Sequence, residues 1–77
     1  MMEPEQIYVL LSASFPGAEI SVQDTTGTKD HFSVTVFWEG FKGKKLIEQH
    51  QMVNQALQAP LANESIHALQ LKTAYGA

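Results

Sequence analysis

The chain has 77 residues, 44% of them apolar and 17% charged, which suits one small folded domain and not a disordered or fibrous chain. It has no cysteine, which excludes disulfides, a thiolate nucleophile and any metal site held wholly by the chain's own sulfurs. Five lysines, no arginine and eight acids give a net charge of -3, the reverse of the balance that phosphate binding needs.

The amino terminus, Met1-Met2-Glu3-Pro4-Glu5, carries acids where a secretory or transit peptide would carry lysine and arginine. No apolar run approaches the roughly 18 residues of a membrane span. There is no repeat, low-complexity tract or linker, so residues 1–77 read as a single domain, expected to be soluble and cytoplasmic.

Residues 4–14 predict a helix. Pro4 suits a first helical position, and Ile7, Leu10, Leu11 and Ser14 share one face. Phe15-Pro16-Gly17 then stops it. Ile20–Gln23 and Phe32–Val36 alternate apolar and polar residues and predict a hairpin, with the second strand reaching Phe37 or Trp38. The segment between them, Asp24–Asp30, is polar turn material. Gly40-Phe41-Lys42-Gly43 forms a tight connection. From Lys44 to about Ala59 the pattern is helical, with Leu46, His50, Val53 and Leu57 in one stripe that Ile47 and Ala56 widen. Pro60 ends that helix or starts a further turn through Leu61 and Ala62. His67–Thr73 alternates once more and predicts a third strand. The fold class is α+β, with the helices against one face of the sheet.

A strand, a helix and a second strand of one sheet usually form a right-handed crossover with parallel strands. The second and third strands would then start at the same end, which brings His31 and His67 together beside the hairpin loop. Neighbouring strands lie about 4.8 Å apart, so a shared metal is within reach if both rings turn outward.

The residues quoted so far resemble the BolA family. The likeness covers residues 5 to 74: Val22-Gln23-Asp24, His31-Phe32-Ser33-Val34, Phe41-Lys42-Gly43-Lys44, His50, Val53-Asn54, Ile66-His67-Ala68-Leu69 and Lys72-Thr73. Its most specific pieces are the F-x-G-K turn leading into a helix with a mid-helix histidine, and the I-H-A-L strand. The resemblance implies an α-β-β-α-α-β domain related to type II KH domains, with a three-stranded mixed sheet. It also implies a non-enzymatic adaptor that binds a monothiol glutaredoxin carrying the Cys-Gly-Phe-Ser motif. The two proteins of such a complex share a [2Fe-2S] cluster, with sulfur from the glutaredoxin cysteine and a bound glutathione, and imidazole from the BolA-like protein. The isolated chain, without a cluster, is expected to be a monomer or weak homodimer. The family's C-terminal ligand maps onto His67. His31 is the candidate second ligand, because Thr28, Lys29 and Asp30 stand where several members carry cysteine or histidine. Two departures stand out: Gln49-His50-Gln51 replaces arginines that often flank the mid-helix histidine, and the sequence ends at Ala77 without the Pro-Glu-Trp-like final helix common in the family.

Each site has a plainer reading beside it. His67 would otherwise be a strand-end histidine bonded to a neighbouring carbonyl, and His31 a solvated strand-end residue. On the ligand reading, Asp30 beside His31 is placed to orient one ring nitrogen, a support that metal-bound histidines usually have. His50 is expected to fill the helix–sheet boundary with one nitrogen bonded inside, or else to face a partner. Gly40, Lys42 and Gly43, followed by Lys44 and Lys45, match the G-x-x-G loop with which KH domains clamp nucleic-acid backbone. Three lysines without arginine or stacking aromatics support only weak, salt-sensitive binding, so a KH-like nucleic-acid-binding regulator is the alternative. Phe37, Trp38 and Phe41 are expected in the core. Glu39, Glu48 and Glu64 fall in separate elements, and no spacing forces a catalytic pair, so no enzyme is expected.

Overall fold

A computed structural model of the chain describes residues 2–76. Helix α1 spans Pro4–Ser14, strand β1 Glu19–Asp24, strand β2 His31–Phe37, helix α2 Leu46–Ala56, helix α3 Gln58–Ala62 and strand β3 Ala68–Ala74, with a 3-10 turn at Glu39–Phe41 before α2. The α+β order α-β-β-α-α-β and the mixed sheet agree with the sequence pattern. The sheet order is β1-β2-β3, with β1 antiparallel and β3 parallel to β2. In β2 the alternation buries Phe32, Val34 and Val36, and these meet Ile7 and Leu11 of α1, Val53 of α2, and Phe15, Phe41, Leu57 and Ile66 from the connections. All three helices therefore serve one face of the sheet. The other face carries Ser21, Gln23, Ser33, Thr35 and Gln70. Among the described residues, no helix is long and apolar enough to cross a membrane.

The predicted long helix is broken in two. Pro60 cannot donate a backbone hydrogen bond, and its ring would clash with the carbonyl four residues back, at Ala56, which is where α2 ends. Pro60 instead takes the third position of α3, whose N–H would be unpaired in any case.

The stripe predicted on α2 is also shifted. Leu46 and Ile47 are 61% and 65% exposed, and the buried residues of α2 are Gln49 and Val53. The inward polar residue is Gln49, not His50. Gln49 is buried; its amide N–H donates to the Lys44 carbonyl at 2.9 Å, and its oxygen accepts the Thr73 hydroxyl at 2.6 Å. His50, one residue on, is only half-buried.

At the far end of the sheet the aromatic expectation divides. Phe41 is buried, and Trp38 is half-buried between Phe15 and Phe41, with ring centroids 5.0 and 5.3 Å away. The indole N–H donates to the Pro16 carbonyl at 2.9 Å. Phe37, on the opposite side of the strand from Val36, is 40% exposed.

Candidate functional site

The loop from Thr25 to Asp30 is built around Asp24, the last residue of β1. One carboxylate oxygen accepts the backbone N–H groups of Thr26 and Gly27 at 3.2 and 2.9 Å, and the other accepts that of Lys29 at 3.0 Å. An aspartate that gathers backbone donors two to five residues ahead closes the turn, and the Thr25 N–H and hydroxyl, both donating to the His31 carbonyl, tie its two ends together. Lys29 takes a left-handed conformation, φ 60°, and its carbonyl accepts the Met2 N–H at 2.9 Å. Its ammonium meets the Glu3 carboxylate at 2.5 Å, and that bond, reinforced by charge, raises the Lys29 pKa above its ordinary value. The chain ahead of α1 thus ties down the loop that leads to His31.

Asp30 is the hub. Its backbone carbonyl accepts the N–H of His67 at 2.7 Å and that of Ala68 at 3.2 Å, which anchors the entry to β3. Its carboxylate accepts the Thr28 hydroxyl and lies 2.8 Å from His31 Nδ1. These two bonds, Thr28 first and His31 second, hold the Asp30 carboxyl below the ordinary carboxylate range, with the charges of His31 and His67 adding to them.

The two histidines meet as the crossover geometry predicts. β3 begins at Ala68, which pairs with His31, so His67 lies one residue ahead of the strand and not within it. The His31 and His67 ring centroids are 6.2 Å apart, with the planes tilted by 40°. His67 is exposed and His31 half-buried, so the pair opens to solvent. As a donor set, two neutral imidazoles suit iron, zinc or copper. Among the described residues, no group of three or more His, Cys, Asp or Glu side chains is placed to hold a metal ion. Two nitrogens leave a tetrahedral ion half-coordinated.

The G-x-x-G loop is elsewhere. β2 starts at His31 and ends at Phe37, so the connection after it sits at the opposite end of the sheet, about 20 Å away at ~3.3 Å per residue. Gly40 belongs to the 3-10 turn, and a Cβ there would stand 2.5 Å from the Trp38 indole. Its lack of a side chain is a packing requirement. Gly43, at φ +83°, turns the chain toward α2, and Lys42, Lys44 and Lys45 are exposed around it. His50 follows on α2 and joins this end of the molecule, not the histidine pair.

The sequence reading missed Asp24, Thr26, Thr28 and Gln49. A signal for the first two was present, since Asp24-Thr25-Thr26-Gly27 has the composition of an aspartate-closed turn. None marked Gln49, whose partners come from β3 and from the turn before α2.

A small α+β domain with a mixed three-stranded sheet and a solvent-facing histidine pair at one end defines the class. The BolA-like protein family model matches residues 5–76, and the chain belongs to that family. It is 37% identical over 75 residues to protein BOLA2 of Arabidopsis thaliana, covering 96% of this chain and 78% of that one. A DNA-binding transcriptional regulator BolA of Vibrio cholerae is 47% identical over 47 residues, 61% of this chain and 43% of that protein. Among solved structures, BolA1 from Arabidopsis thaliana superposes with a TM-score of 0.86 at 21% identity, covering 97% of this chain and 94% of that one.

Proposed function

We propose that this protein is an adaptor that binds a monothiol glutaredoxin and helps ligate a shared [2Fe-2S] cluster, in iron sensing or cluster trafficking. His67 is the first ligand and His31 the second, and the glutaredoxin cysteine with its glutathione provides the sulfur. The observation that carries the reading is the 6.2 Å approach of two solvent-facing imidazoles in a cysteine-free chain. A pair of ligands suits a centre completed by another molecule. Nitrogen in place of thiolate raises a cluster's reduction potential, as in Rieske centres, so the heterocomplex would differ in potential and lability from a sulfur-only one. The cytoplasm, where thiols stay reduced, is the fitting compartment. The chain's own part is to hold two rings at one end of a rigid sheet and to leave that end open for the partner. No catalytic step is assigned to it.

The test is visible circular dichroism of the protein mixed with a reconstituted, cluster-bearing glutaredoxin. A new heterocomplex spectrum that His67→Ala abolishes supports the reading. A spectrum identical with and without the His67 ring sinks the assignment.

A second reading, a KH-like nucleic-acid-binding regulator, rests on the exposed Lys42, Lys44 and Lys45 and on the description of the Vibrio cholerae relative. The net charge of -3 opposes it. Gel-shift titration across salt separates the two: tight binding with sequence preference at moderate salt favours the regulator.

A further inference from the structure

We propose that Asp30, backed by Thr28 and Thr26, is a positioning residue that locks His31 in the Nδ1–H tautomer and so presents Nε2 as its only metal-binding atom. The inference deepens the ligand reading of His31 and rests on it for its purpose, though not for its test.

The argument follows from the direction of the hydrogen bonds. A carboxylate only accepts. Thr28 therefore donates its hydroxyl hydrogen to Asp30 Oδ1. With that hydrogen committed, the 2.5 Å contact between the Thr26 and Thr28 hydroxyls needs Thr26 as donor. The chain of donation runs Thr26 to Thr28 to Asp30 and ends on an oxygen that can only accept. His31 Nδ1, 2.8 Å from the same oxygen, must then carry its hydrogen. In a neutral imidazole the lone pair is left on Nε2, and a carboxylate on the other ring nitrogen is the usual support of a metal-bound histidine. Such support fixes ring orientation and raises ligand basicity.

The network is well placed to persist. Asp24 holds the loop backbone through three N–H groups without using Asp30. The Asp30 carbonyl, not its side chain, anchors His67 and Ala68. Removing the Asp30 carboxylate should therefore change the His31 ring and leave both the loop and the β3 entry in place.

Long-range 1H–15N correlation of the histidine rings in the isolated, metal-free chain reads the tautomer directly. The expected result is a His31 pattern with the hydrogen on Nδ1 in the wild type, lost in Asp30→Ala in favour of Nε2–H or a rapid mixture, and partly lost in Thr28→Val. The backbone amide shifts of Thr26, Gly27 and Lys29 report whether the loop survives each substitution. Wild-type His31 with its hydrogen on Nε2 overturns the proposal, as does an unchanged pattern in Asp30→Ala with the loop intact. If the tautomer behaves as expected while His31→Ala leaves the glutaredoxin heterocomplex unchanged, the positioning stands and the ligand reading of His31 falls.

Discussion

The backbone N–H of His67 donates to the carbonyl of Asp30 at 2.7 Å and, with the Ala68 N–H on the same oxygen, sets where the third strand enters the sheet relative to the hairpin loop. Because the side chain of the same aspartate contacts His31, a single residue spaces both imidazoles. The pair is thus held by one bond between sequence neighbours, Asp30 and His31, and one between residues far apart in the chain, His67 and Asp30.

If the two histidines are unequal partners, single substitutions should separate them. His67→Ala is expected to abolish the visible circular dichroism of the cluster-bearing heterocomplex. His31→Ala is expected to leave a weaker, faster-decaying signal. His67 is exposed, so His67→Ala should change the stability of the isolated chain by no more than ~0.5 kcal/mol, whereas His31→Ala also removes a hydrogen bond to Asp30 and should cost about 0.5–1.5 kcal/mol. Equal, complete loss in both would make His31 as essential as His67.

Gly40→Ala places a methyl group 2.5 Å from the Trp38 ring, against a side chain pinned by Phe15, Phe41 and the Pro16 carbonyl. Overpacking of this kind costs about 1–3 kcal/mol. Urea denaturation should show that loss. Were Gly40 required for nucleic-acid contact and not for packing, the variant would unfold at the wild-type midpoint.

Gln49→Ala removes the acceptor of the Thr73 hydroxyl and the donor to the Lys44 carbonyl. A buried group left unpaired costs about 1–3 kcal/mol, and β3 should lose amide-exchange protection around Thr73 before the rest of the sheet does. His50→Ala, at a half-buried position, should cost clearly less. A larger loss for His50→Ala than for Gln49→Ala would return His50 to the inward role.

Replacing Lys42, Lys44 and Lys45 together with glutamine tests the opposite end of the molecule. The glutaredoxin heterocomplex should form as before, since these side chains lie a strand's length from the histidines. Any residual DNA binding should weaken, and its salt dependence should flatten by about three counterions' worth of slope. Loss of the heterocomplex would show that the partner reaches across the sheet.

The Asp30 carboxyl, held low in the folded chain, also gives a pH signature. A carboxylate with a depressed folded pKa contributes stability above its unfolded value, near 3.8, and loses it as pH falls through the lower folded value. The gap in denaturation midpoint between wild type and Asp30→Asn should therefore be open at neutral pH and close in acid, below 3.8. The gap should be small, because the carboxylate is still partly open to water. A gap that persists in strong acid would mean that the charge plays no part.

Local pattern was enough for the element order, the class and the histidine pair. Period-two alternation marked Phe32, Val34 and Val36 as one buried face, and the rule that a strand–helix–strand crossover is parallel brought His31 and His67 to the same end. Both signals are carried by residues close in sequence or by chain handedness, which the sequence alone contains. Tertiary structure decided the rest. Gln49 and His50 stand about 100° apart on the helix and flank the Val53–Leu57 stripe from its two sides, so either could close the apolar face by pattern alone; the Thr73 hydroxyl and the Lys44 carbonyl settle it on Gln49. The break at Leu57 follows from Pro60, whereas the exposure of Leu46 and Ile47 follows from the face of α2 that carries Gln49 and Val53 being the one turned inward. The polarity of the Thr26–Thr28–Asp30–His31 chain exists only once Asp24 has folded the loop, because it is a property of hydrogen bonds closed in space.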